Sequence, residues 1–182
     1  MPPPATESGR RLRAPVWSLA DEVGLTLVRV DDRLIHGQVV TIWLKALNAT
    51  RIVIVDDRTA HDDFLREVIE LAAPRGVDVE VHDFESGVER LRTVAADPEP
   101  AFVIVRSPTT ALRLREAGIE FPVLNVGGIG AGPGRRPLYR NIAASPEEIV
   151  AMRQLEALGT TVELRIVAGD RPVAFSSVDK EA

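Results

Sequence analysis

The sequence contains no cysteine. That excludes disulfides, thiolate catalysis and cysteine-based zinc sites, and it suits a cytoplasmic setting. Long apolar runs are missing too: nothing approaches the roughly 18 residues that a membrane-spanning helix requires. The first residues lack the apolar core of a secretory signal, so a role at a membrane has to run through a partner. Lysine is nearly absent, with only Lys45 and Lys180 against many arginines; we read this first as coding bias. Nor is positive charge in excess. The 27 acids outnumber the 22 Lys and Arg for a net charge of −5, and bulk attraction to nucleic acid or anionic lipid is not expected.

What is present is an ordinary globular composition. The 182 residues are 45% hydrophobic and 27% charged, which fits one domain with a sizeable core. Residues 1–22 are rich in Pro, Ser and Arg and lack periodicity, so they are expected to be a disordered tail, with Trp17 as a surface anchor or the whole as a partner-binding arm. The domain is expected over 23–175, and the end, 176–182, is expected to fray.

From residue 24 the pattern alternates. Strands are expected at "LTLVRV" (25–30), "RIVIVD" (51–56), "VDVEVHDF" (77–84), "AFVIVR" (101–106), "FPVLNVGG" (121–128) and "TVELRIVAG" (161–169). Helices are expected at 37–48, 61–74, 86–97, 107–118 and 145–159. Ser107 and Ser145 stand where N-caps belong, each followed by Pro, and Gly118 and Gly159 stand at the ends. This order predicts an α/β fold: a single-domain, open, mainly parallel sheet with helices on both faces and an antiparallel edge at the C-terminal end. In such sheets ligands bind outside the carboxyl ends of the strands.

Polar residues gather at those ends. Asp31, Asp32, Arg33 and His36 follow the first strand, and Asp56, Asp57 and Arg58 the second. Arg106 and Ser107 follow the fourth, and Asn125 with a Gly-rich segment the fifth. His36 stands just before a helix N-terminus, where unpaired N–H groups favour an anion. Arg33 adds a fork suited to phosphate, and a neutral imidazole is an available nucleophile near pH 7. Asp31 or Asp32 could orient the ring. The cluster suits a phosphoryl-carrying histidine; a general base or a histidine capping its own loop are the alternatives on these residues alone.

"RVDDRLIHGQV" (29–39) resembles the active-site signature of enzyme IIB in the mannose/fructose/sorbose family of the bacterial sugar phosphotransferase system. "RIVIVDD", "LAAPRGVDVEV", "AGIEFPVLNVGGIG" and "LEALGTTVELRIV" extend the resemblance over residues 24–172. The resemblance implies that His36 takes a phosphoryl group on Nδ1 from phospho-enzyme IIA. It then passes the group to a sugar held by membrane components IIC and IID, with Arg33 assisting. It implies no cofactor and no metal, and a cytoplasmic protein held at the inner face of the membrane through its partners. Of the two acids, Asp32 is the preferred candidate for orienting the loop or the imidazole. Asp31, Gly37, Gln38, Asp57, Ser107, Asn125 and Gly127 are expected on the phosphate or partner rim, with turn formation as the alternative for Asn125 and Gly127. A regulatory phosphoprotein on the same fold is the first alternative, and a sugar-phosphate- or nucleotide-binding enzyme the second. Homo-oligomerisation is left open.

Weaker motifs lead elsewhere. "GGIGAGPG" (127–134) fits no G-x-G-x-x-G frame and lacks the G-K-[ST] of a phosphate loop; a mobile loop at the site's edge is expected, with Arg135, Arg136 and Arg140 available to a partner. His61, among acids, reads as solvated charge at a helix start rather than a metal ligand, and His82 as a surface residue of a strand.

Overall fold

A computed structural model describes residues 25–179. Seven strands form one sheet in the order β3-β2-β4-β1-β5-β8-β9. They are β1 (Leu25–Asp31), β2 (Arg51–Val55), β3 (Asp78–His82), β4 (Ala101–Val105), β5 (Val123–Gly128), β8 (Thr161–Leu164) and β9 (Val173–Ala174). All pairings are parallel except β8 with β9, the expected antiparallel edge. Between β5 and β8 lies a separate hairpin, β6 (Arg136–Tyr139) with β7 (Ile142–Ala144).

Alternation along the strands divides the core in two. Val28, Val30, Val53, Val55, Val103 and Val105 pack beneath α4 (Phe84–Ala95), α5 (Pro108–Glu116) and α6 (Pro146–Ala157). Leu27, Ile52, Ile54, Phe102 and Ile104 face α1 (Gly37–Leu47) and α3 (Asp63–Leu71). Strand β1 therefore leads to a helix on one face, while its neighbours β4 and β5 lead to helices on the other. The chain thus parts to opposite sides at the carboxyl end of β1, the place where α/β sheets leave a crevice.

Capping follows the sequence closely, with one exception. Asp56, Asp62, Asp83, Ser107 and Ser145 each accept a backbone N–H at the start of α2 (Asp57–Ala60), α3, α4, α5 and α6, and Ser145 with Glu148 forms a full capping box. Helix α1 is different: its N-cap, His36, makes no side-chain cap bond.

Several expectations need correction. The helix expected at 61–74 is shorter, Asp63–Leu71, because Asp62 caps it, and a separate turn of helix capped by Asp56 precedes it; Phe64 and Leu71 on it are 71% and 79% exposed. The last strand stops at Leu164, and the chain turns back to place β9 on the edge. The Gly-rich segment is no free loop: Gly130 N–H donates to Asp32, and Arg135 is fastened to Glu148 at 2.7 and 3.0 Å. Of the end expected to fray, residues 176–179 are held, since Phe175 is buried and the carboxylate of buried Asp179 accepts from Arg153. Trp17 and the expected tail lie outside the described residues, as do 180–182.

On edge strand β3, Glu80 accepts from Arg90 Nε and Nη2 at 2.6 and 2.7 Å and from the His82 ring at 3.1 Å. The Arg90 hydrogen bonds come first among the causes that bring its carboxyl from 4.5 down to about 2, against a smaller opposing push from burial. A folded value below the unfolded one stabilises the native state above the unfolded value, and the gain is lost as pH falls through the folded one. Glu80→Gln should therefore lower stability at neutral pH, and its gap to wild type should close as pH falls from 4.5 to about 2. Urea unfolding across that interval checks it; a constant gap would contradict it.

Candidate functional site

The site begins with a buried row of polar side chains. Arg29, Asn125 and Glu163 are register partners across β1, β5 and β8, so they lie side by side on the α1 face of the sheet. Each is nearly inaccessible to solvent. Arg29 Nη1 donates to Asn125 Oδ1 at 2.5 Å and to the Arg165 carbonyl at 3.2 Å. Asn125 Nδ2 donates to Glu163 Oε1 and to the same carbonyl, both at 3.2 Å. Arg165 stands 3.9 Å from Glu163 and donates to the Ala168 carbonyl. Trp43 of α1 packs against both guanidinium groups, at 5.2 and 5.3 Å, and its indole N–H reaches the Ile166 carbonyl at 3.3 Å. Cation–π contact of this kind holds a cation where water is excluded.

The row ends at Asp31, two residues beyond Arg29 on the same face. Its carboxylate is buried and multiply bonded. Oδ2 accepts from Arg29 Nη2 at 3.0 Å and lies 2.9 Å from His36 Nε2. Oδ1 accepts the Arg33 N–H at 3.2 Å. An ionised carboxylate only accepts, so a neutral His36 ring facing it bears its proton on Nε2 and its lone pair on Nδ1. The imidazole is only partly covered, at 20% exposure. The acid that orients the ring is therefore Asp31. Of the two roles expected of Asp32, the loop or the imidazole, the ring falls to the alternative acid, because side chains alternate along a strand and Asp31 still belongs to β1, pointing in with Arg29.

Asp32 instead anchors the loop. Its N–H donates to the Gly128 carbonyl at 2.7 Å, and its Oδ2 accepts from Gly130 N–H at 3.1 Å and Arg135 Nη1 at 3.4 Å. Between the two acids and the helix the backbone is unusual: Leu34 has φ of 58° and Gly37 φ of 44°. Gly37 takes the left-handed region at little cost, whereas Leu34 is strained there and is buried at 2% exposure.

The other expected residues separate. Arg33 is 64% exposed, its Nε 3.8 Å from Asp31. With Asp32, residues 127–131 and Asn141 it lines an open depression of about 530 Å³. Gln38 lies in the first turn of α1. Asp57 accepts the Phe84 N–H at 2.7 Å and stands 3.8 Å from Arg113, which ties it to α4 and α5. Ser107 caps α5. Asn125 and Gly127 shape no turn: both are in β5, and Gly127 has no left-handed φ. A Cβ at Gly127 would overlap the Arg29 guanidinium, and one at Gly128 the Asp31 carboxylate. These glycines make room for the buried ion pair. His61 is exposed and contacts the Asp57 carbonyl, and His82 contacts Glu80.

Arg29, Glu163, Arg165 and Trp43 were not singled out from sequence. The available signal was a charge at an inward position of a strand buried on both faces, as in "LVRV" and "VELRIV", since such a charge requires a partner. Burial pushes the Arg29 guanidinium below its ordinary value while Asp31 draws it back up. Burial likewise pushes the Glu163 carboxyl above its ordinary value, opposed by Arg165 and the Asn125 amide.

Comparison with known proteins is consistent across sequence and structure. The family model described as "PTS system sorbose subfamily IIB component" matches residues 25–182. The chain is 38% identical over 149 residues to the sorbose-specific EIIB component of Klebsiella pneumoniae, covering 82% of this chain and 91% of that one. It is 31% identical to the mannose-specific EIIAB component of Escherichia coli, covering 98% of this chain and 57% of that longer protein. The crystal structure of the IIBSor domain of the Klebsiella pneumoniae sorbose permease superposes with a TM-score of 0.81 at 36% identity, over 87% of this chain and 98% of that one.

Two substitutions test the buried row. Arg29→Met strands the Asp31 carboxylate and should cost about 3–5 kcal/mol of unfolding free energy. Gly127→Ala should cost about 1–3 kcal/mol by overpacking against Arg29. Denaturant titration reads both; a Gly127→Ala protein as stable as wild type would show that Arg29 is free to move aside.

Proposed function

The chain belongs to the sorbose-subfamily IIB components of the sugar phosphotransferase system, and we propose that it does its work as a phosphohistidine carrier with His36 as the carrying residue. Family membership makes it a transferase of sugar phosphotransfer. The carrier reading adds the residue, the nitrogen and the partners, and the observation that supports it most is the Asp31–His36 hydrogen bond.

With Nε2–H bound to Asp31, the Nδ1 lone pair attacks the phosphorus of phospho-enzyme IIA. The donor's N–P bond breaks as the new one forms, and the donor ring keeps the electron pair. Positive charge developing on the His36 ring is balanced by the Asp31 carboxylate. Phosphoryl transfer asks mainly for in-line placement and charge stabilisation. Arg33, exposed beside the loop, supplies a mobile guanidinium for the phosphoryl oxygens. The first N–H groups of α1, which no side chain caps, supply further donors. In the second half-reaction a sugar hydroxyl attacks the same phosphorus, the N–P bond breaks, and the hydroxyl proton is released. No metal is needed for either step. The donor is a IIA component, as the joint name EIIAB of the Escherichia coli relative suggests. The acceptor sugar is held by IIC and IID, which keep the protein at the inner face of the membrane. No helix among the described residues is long and apolar enough to cross it.

The test is reconstitution with phosphoenolpyruvate, the general phosphotransfer proteins and a charged IIA protein, followed by intact mass. One acid-labile phosphate is expected on the wild type and none on His36→Ala. Arg33→Ala should still be phosphorylated, about 10–100-fold more slowly, as expected for losing one charge-stabilising group. A phosphate that survives His36→Ala would place the carrier elsewhere, and an unchanged rate in Arg33→Ala would remove Arg33 from the mechanism.

A further inference from the structure

We propose that Arg106 is a positioning residue for phosphoryl transfer at His36, acting through the backbone of Asp32; this rests on the carrier reading above. Arg106 follows β4, which lies between β2 and β1 in the sheet, and its guanidinium spans the carboxyl ends of all three. Toward β2 it makes a two-point contact: Nε and Nη2 each stand 2.9 Å from an oxygen of Asp56. Nη2 also reaches Thr59 Oγ1 at 3.2 Å. Asp56 is itself held, as the N-cap of α2 accepting from Thr59 N–H and Oγ1 at 3.0 and 2.6 Å. Toward β1 the remaining nitrogen, Nη1, donates to the Asp32 carbonyl at 2.6 Å.

The two-point contact fixes the plane of the guanidinium, and the plane aims Nη1. An ammonium group has no such fork and cannot serve both sides in one fixed geometry. Burial pushes the Asp56 carboxyl up, but the Arg106 and Thr59 hydrogen bonds outweigh it and hold the group below its ordinary value. The pair therefore stays charged where the carrier works.

What the contact restrains is the strained part of the site. Asp32 immediately follows the Asp31 that holds the ring, and Leu34, at φ of 58°, donates its N–H to the Asp31 carbonyl at 3.0 Å. A conformation of that kind persists only where the surroundings over-determine it. Asp32 is gripped on its carboxylate by Gly130 and Arg135, on its N–H by Gly128, and on its carbonyl by Arg106. Of these grips only Arg106 ties the loop to the β2–α2 side. Small displacements in such a site are expensive, because reacting atoms must meet within a few tenths of an ångström of the productive geometry.

The experiment compares wild type, Arg106→Lys and Asp56→Asn in the reconstituted system, with hydrogen exchange of the Leu34 amide measured on each protein alone. Arg106→Lys keeps a cation beside Asp56, and Asp56→Asn keeps Arg106 but loosens its plane, so one folded variant suffices. In each, turnover at saturating phospho-IIA should fall about tenfold with KM for phospho-IIA unchanged, and Leu34 exchange should rise about tenfold without faster exchange in β4. Guanidinium added to Arg106→Ala should restore part of the lost rate. Wild-type turnover with unchanged Leu34 protection overturns the proposal. So does a uniform rise in exchange with no guanidinium rescue, which would make Arg106 merely structural. An unphosphorylated wild type would instead sink the carrier reading, and Leu34 exchange would still decide what Arg106 restrains.

Discussion

One buried carboxylate organises the functional end of this protein. Asp31 sits at the last position of β1, out of water, bonded to Arg29 on one side and to the His36 ring on the other. A charge in that place is tolerable only with a full set of partners, and each partner brings a requirement of its own. Arg29 needs Asn125, Asn125 turns its amide to Glu163, and Glu163 lies against Arg165. The two cations need the Trp43 face. Gly127 and Gly128 have no side chain because the guanidinium and carboxylate occupy that space. The polar row and the bare stretch of β5 are two sides of one packing solution.

On the carrier proposal, the same arrangement holds His36 and leaves it free to react. As the N-cap of α1 it could have turned back onto its own helix, as the caps of α2 to α6 do. Asp31 draws the ring away instead, which leaves the first turn of α1 without a side-chain bond from its N-cap residue. A helix start without a side-chain cap and a ring nitrogen with a free lone pair together form a place for a phosphoryl group. The strain at Leu34 is the local cost of that geometry, and the bonds around Asp32 maintain it.

The sequence made the architecture legible because its signals were local and repeated. Buried β-branched runs, Ser-Pro helix starts and terminal glycines each reported their own segment, and the strand pattern after residue 160 announced the antiparallel edge. The loop from Asp31 to His36 was legible for the same reason, since its chemistry lies within a few residues. Relations between distant strands were hidden. That Asp31 rather than Asp32 faces His36 depends on where β1 ends, since Asp31 is still its last residue and shares the face of Arg29. Asn125 read as a rim or turn residue because nothing near it shows that Arg29, 96 residues away, lies beside it in the sheet. Asp57 read as a rim residue because a strand end and a helix start look alike in a polar sequence, and its bond to Phe84 N–H crosses to α4.

On the carrier proposal, Asp31 commits His36 Nε2 to a proton and leaves Nδ1 for chemistry. Long-range 1H–15N correlation of the His36 ring, before and after phosphorylation, tests it most directly. The Nε2–H tautomer is expected in the free protein and phosphorus bonded to Nδ1 in the charged one. Phosphorus on Nε2, or an Nδ1–H tautomer in the free protein, would contradict it.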